Sequence, residues 1–149
     1  TPVPSPTQPP ASQAQVELTK ESIREKLLDI TRKYIAGITG VKNINLCRFE
    51  TSSLIVEALS SYSSESIIKS ISYEIITGLA AALTGLTEDN LLMLSNATSG
   101  TFTVKLTVLS SMLDKKYTST TTYSDLVKIK NSRLSYDDWV KSSGAKFTP

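Results

Sequence analysis

The sequence predicts an α+β fold, a two-layer sandwich in which an antiparallel sheet carries helices on one face, plus an extra helix at the N-terminal side. Three observations predict it. Apolar residues recur at helical spacing over residues 19–38 and again over 65–83. Between and after these stretches the pattern changes to a period of two, most clearly over 101–108, where Phe102, Val104, Leu106 and Val108 face one way and Thr103, Lys105 and Thr107 the other. A hydrophobic fraction of 40% in 149 residues suits one core.

Residues 1–15 hold five of the six prolines, no charged residue and one sizeable apolar side chain, Val3. Such a segment cannot bury enough surface to offset its ordering entropy, so an extended polyproline-like arm or linker is expected there. An arm of this composition can also order against a neighbouring subunit, or carry O-glycans on Thr1, Ser5, Thr7 and Ser12. Residues 16–149 are expected to form a single α+β domain.

Thr19 fits a helix N-cap, followed by Ile23, Leu27, Ile30 and Tyr34 at helical spacing and reinforced by Leu28, Ile35 and Ile38. This helix should end near Gly37 or Gly40. Residues 41–59 read as extended, either one bent strand or a hairpin turned at Glu50-Thr51-Ser52-Ser53, a tetrapeptide without Gly or Asn to favour a positive φ. Cys47, the only cysteine, reads as a small buried hydrophobe within that region.

The central helix follows, capped by Ser63 or Ser64, with Glu65 complementing its dipole and Ile67, Ile68, Ile71, Ile75, Leu79, Ala82 and Leu83 forming a broad apolar face. Gly85 is expected at a left-handed C′ position, and Gly78 inside the helix is expected to permit a close approach by a strand or another helix. Residues 91–94 are expected to be a strand, joined to the strand at 101–108 through a hairpin at Asn96-Ala97-Thr98-Ser99-Gly100. Beyond Met112 the pattern weakens: 115–122 is polar, 125–134 reads as a short helix, Ser135 as the N-cap of another that Gly144 ends, and 145–148 as an edge strand. Tyr136 and Trp139 should lock this tail onto the domain.

The residue inventory narrows the chemistry. There is no histidine and one cysteine, which excludes Ser-His-Asp and Cys-His nucleophilic arrangements, His-containing zinc signatures and a multi-thiolate site within the chain. No Gly-rich phosphate loop occurs. The pairs Glu88-Asp89 and Asp137-Asp138 are neighbours in sequence and diverge on a helix, so they read as helix-end residues rather than acid/base couples. Lys115, Lys116, Lys128, Lys130 and Arg133 form a modest basic cluster that could meet a phosphate or acidic glycan, or simply be solvated. A net charge of +2 argues for no nucleic-acid partner, and no apolar run of about 20 residues argues for a membrane span. The expectation is a non-enzymatic protein with no catalytic, cofactor-binding or metal-binding residue. The triplet Asn96-Ala97-Thr98 makes Asn96 a glycosylation candidate if the chain is secreted.

The predicted order of strand, helix, strand, Gly-turn, strand and helix resembles the ferredoxin-like βαββαβ plan. Within it, Ser99-Gly100-Thr101-Phe102-Thr103-Val104 resembles the Gly-Ser hairpin of SEA-type extracellular modules. In self-cleaving members a serine hydroxyl attacks the Gly-Ser bond. Thr101 stands in that place here, and no cleavage is expected. A helix, Gly-Val, two strands, a long helix and a hairpin also resemble a roadblock-type cytoplasmic scaffold, a dimer that supports a small GTPase. Residues 116–122, however, are far less apolar than that family's last strand. The function expected is an extracellular or cell-surface structural or adhesive glycoprotein module. It would bind a protein, a glycan or copies of itself, and assemble into oligomers or filaments through the arm and an open sheet edge.

Overall fold

A computed structural model describes residues 11–95 and 100–149. The element order is α1 (Ala11–Ala36), β1 (Val41–Glu50), β2 (Ser53–Ser60), α2 (Glu65–Leu83), α3 (Glu88–Ser95), β3 (Thr103–Leu109), β4 (Lys116–Thr122), α4 (Tyr123–Lys130), α5 (Tyr136–Ser143) and β5 (Lys146–Thr148). The five strands form one sheet in sequential order, antiparallel throughout except for the central β2–β3 pair. The α+β architecture therefore holds, with helices flanking a mostly antiparallel sheet. The strand order is corrected. A ferredoxin-like βαββαβ core would insert a strand between those joined by the crossover helix, whereas here β3 returns directly beside β2, with Val56 opposite Leu106.

The alternation of each strand sets the layers. Leu54, Val56 and Ala58 of β2, Val104, Leu106 and Val108 of β3, and Tyr117, Ser119 and Thr121 of β4 are buried and share one face by register. α2 lies over this face through Ile68, Ile71, Ile75, Ile76, Leu79 and Leu83, each at most 3% exposed. By length and mean hydropathy α2 could cross a membrane, but its apolar stripe is the core of the domain.

Several expectations change at the level of single elements. α1 begins at Ala11, so the last five residues of the expected arm are helical; no proline lies within this helix, and Ala and Gln are tolerant helix formers. Its buried stripe is Leu27, Leu28, Thr31 and Ile35, with Ile38 buried in the turn that follows, and Ile30 is 58% exposed. Glu50-Thr51-Ser52-Ser53 turns a hairpin, and Ser52 takes the positive φ of 66° that no Gly or Asn was present to supply. The Ser52 amide donates to the Ser95 carbonyl and its carbonyl accepts from the Thr103 amide, at 2.7 and 2.9 Å, which fixes the turn from both sides.

Gly85 does not adopt the left-handed conformation. α2 instead ends at Thr84, whose amide and hydroxyl both donate to the Ala80 carbonyl. Gly78 does permit a close approach, and the partner is Tyr34 of α1, whose hydroxyl donates to the Glu74 carbonyl at 3.1 Å. Residues 91–94 are helical rather than a strand, forming α3 with Leu91 and Leu94 buried. The Thr87 hydroxyl accepts from the Asn90 amide there, and Glu88 and Asp89 occupy the first turn as helix-end residues. The strand expected to precede the Asn96-Ala97-Thr98-Ser99-Gly100 hairpin is therefore absent from 91–94, and residues 96–99 lie outside the described residues. The polar segment 116–122 is a true strand. The C-terminal tail follows expectation: Ser135 caps α5, Gly144 ends it at φ 64°, and the buried Trp139 indole donates to the Thr121 hydroxyl at 2.9 Å.

Candidate functional site

The residues singled out from sequence are dispersed. Asn96 lies outside the described residues. Thr101 sits exposed in the turn before β3. Cys47 is a free, buried thiol in β1; burial raises its pKa, and the nearby Arg32 acts in the opposite sense. Among the described residues no group of three or more His, Cys, Asp or Glu side chains converges. The expected basic cluster is spread over separate segments: Lys115 and Lys116 lie where β4 begins, Lys128 and Lys130 on α4 after its other end, and Arg133 in the turn beyond α4.

Two regions carry the features of binding surfaces. The first is the solvent side of the sheet. Thr103, Lys105 and Thr107 of β3 and Thr118 and Thr120 of β4 alternate with the buried positions and point away from the helices. Leu46, Ile55, Leu59 and Leu109 occupy the same side, half-buried and outside the core. Leu59 pairs with Leu109 next to the β3–β4 turn. That turn presents Met112 and Leu113, 73% and 68% exposed, and Leu113 is held at a φ of 58°. A non-glycine residue in the left-handed region costs roughly 1–2 kcal/mol. The turn is fixed all the same, through Leu113 amide to Ser110 carbonyl at 2.9 Å, Ser110 amide to Lys115 carbonyl at 3.0 Å, and Ser111 amide to Tyr62 carbonyl at 3.0 Å.

The outer edge of β1 is a weaker surface. Its pairing with β2 shifts register between Val41 and Asn43 and between Ile44 and Leu46, the Arg32 guanidinium occupies the Cys47 carbonyl at 3.0 Å, and Lys42 and Arg48 place charge along it. Bulges and charged side chains are the ordinary means of blunting an edge strand.

The second region is a cleft of about 640 Å³ on the helix side, where α5 and β5 meet β4 and α2. Tyr117 and Phe147 form its aromatic wall, ring centroids 4.7 Å apart. Tyr136 completes the floor, packed edge-on against Tyr73 at 5.4 Å. Its hydroxyl lies near the Tyr117 phenol without closing a well-aligned hydrogen bond. Burial, with a further contribution from Tyr136, raises the Tyr117 pKa, so this phenol stays neutral. Lys69, Lys141 and Lys146 stand around the opening with a single carboxylate, Asp137. The Lys69 and Lys115 ammonium groups lie 5.8 and 5.9 Å from the Phe147 ring centroid. Sequence reading missed this grouping because Lys69, Lys141 and Lys146 come from three separate elements, α2, α5 and β5, and only β5 pairing with β4 brings them together. Comparisons with protein-family models, curated proteins and solved structures give no match.

Proposed function

We propose that this protein is a non-enzymatic structural or adhesive module of the extracellular kind, and that it associates with copies of itself through the solvent side of its sheet and the β3–β4 turn. The observation that carries the reading is Leu113. An exposed leucine held in the left-handed region destabilises the free domain, and backbone strain at an exposed apolar tip is the kind of feature retained for contact rather than for folding. The tip is continuous with Leu59 and Leu109, and Glu57 sits beside Leu46 on the same side of the sheet. A tip bearing Met112, Leu113 and Lys116 therefore meets apolar and acidic groups on a second copy, a head-to-tail complementarity that extends into chains. The hydroxyl-rich solvent face of β3 and β4 supports an extracellular setting.

Hydrogen exchange of the full chain at low and high protein concentration tests the surface. Amides of residues 109–116 and of β1 and β2 should gain protection as concentration rises. Exchange independent of concentration throughout those segments would remove the reading.

A further inference from the structure

We propose that the cleft between α5, β5, β4 and α2 binds a small anionic ring compound of monosaccharide size, its acid group held by Lys69 and Lys146 and its ring lying against the accessible part of Phe147, which the buried Tyr117 backs. The size fits: about 640 Å³ lies within the ordinary range for small-molecule sites. The walls fit as well, because a flat aromatic surface takes the C–H face of a sugar or the face of a planar ring.

Charge then selects among ring compounds. Three lysines face one carboxylate around the opening, and Lys115 adds a fourth cation beside Phe147. Lys115 is already engaged by Glu65 at 3.7 Å. Lys69, Lys141 and Lys146 form no salt bridge among those of the described residues. Lysines left to repel one another at a concave site raise the local concentration of anions. The Phe147 ring helps hold the Lys69 ammonium in place, so less side-chain freedom is lost on binding. The Tyr117 phenol, its pKa raised by burial, stays neutral and does not oppose an anion. Asp137 is the one group that does, and it stands exposed in the first turn of α5.

Isothermal titration of the full chain with glucuronate, glucose 6-phosphate, glucose and inorganic phosphate tests this. Both acidic sugars should bind, whereas glucose, lacking the charge, and phosphate, lacking the ring, should each bind at least about tenfold more weakly. Replacing Lys69 and Lys146 by alanine together should weaken the acidic sugars about tenfold. Asp137→Asn should tighten them about two- to fivefold, a gain that a misfolded variant could not produce. Binding of neither acidic sugar overturns the proposal. Phosphate binding as tightly as glucose 6-phosphate, glucose binding as tightly as glucuronate, or a loss on Asp137→Asn would each do so too.

Discussion

Replacing Gly78 by alanine sets helix propensity against a side chain from another helix. Alanine should favour α2 by about 1 kcal/mol relative to glycine. A Cβ at this position, however, would stand 1.9 Å from Cε1 and 2.1 Å from Cζ of Tyr34, with the hydroxyl at 2.6 Å. That overlap cannot be absorbed by small shifts, so the ring must leave. Tyr34 is 41% exposed, so it has solvent to swing into. Leaving costs the hydrogen bond to the Glu74 carbonyl, about 1 kcal/mol, and the covered part of a ring that buries roughly 150–250 Å² when fully packed, about 2 kcal/mol after allowance for a compact unfolded chain. Gly78→Ala should therefore destabilise the domain by about 2 kcal/mol despite its better propensity. In a Tyr34→Ala background the obstacle is gone, and the same substitution should stabilise by about 1 kcal/mol. Urea denaturation of the four proteins in this double-mutant cycle measures the reversal of sign. A Gly78→Ala effect of the same sign and size in both backgrounds would refute the packing explanation.

Three further outcomes follow from single residues. Ser52→Gly should stabilise the chain by about 0.5–1 kcal/mol in the same assay, because the β1–β2 turn needs a positive φ that serine adopts at a cost; a loss of stability would show that the Ser52 side chain matters more than its backbone. Trp139→Phe should cost about 2–4 kcal/mol, seen as a lower Tm by circular dichroism, since it opens a void at a fully buried position and leaves the Thr121 hydroxyl without its donor. Tyr117 governs the alkaline limb. Its folded pKa lies above the unfolded value near 10, so its contribution is intact below pH 10 and is lost as the pH rises from there toward the folded pKa, at a slope of up to about 1.4 kcal/mol per pH unit. Tyr117→Phe should flatten the fall in stability above pH 10, and an unchanged slope would assign it to other groups.

The parts of this fold that were legible in the sequence are those where a local pattern and its tertiary use coincide. α2 shows its apolar stripe and the glycine that admits Tyr34, and α5 shows its Ser135 cap, its Gly144 stop and the Trp139 anchor. Where the two diverge, sequence misleads. The run Leu91-Leu92-Met93-Leu94 looks like a buried strand because four consecutive apolar residues carry no period; the Thr87 cap and the acidic first turn were the better guide, and they mark α3. β4 was hidden by its composition, since Ser119 and Thr121 take buried positions that apolar residues usually fill. The strand order could not be read locally at all, because placing β3 beside β2 depends on the path of α2 and α3 across the sheet. Neither candidate surface has a motif. The cleft gathers lysines from elements up to 77 positions apart, and Met112-Leu113 becomes conspicuous only once its exposure and the φ of Leu113 are known.

Leu113→Gly separates folding from contact, because glycine relieves the left-handed strain while deleting the apolar tip. Sedimentation velocity of the full chain across a hundredfold range of concentration, with and without this substitution and with stability followed in parallel, tests the central claim most directly. The account predicts that the wild-type chain associates with rising concentration. It also predicts that Leu113→Gly weakens association about tenfold or more while raising stability by about 1 kcal/mol. A wild-type chain that stays monomeric throughout, or a Leu113→Gly variant that associates as well as the wild type, would contradict it.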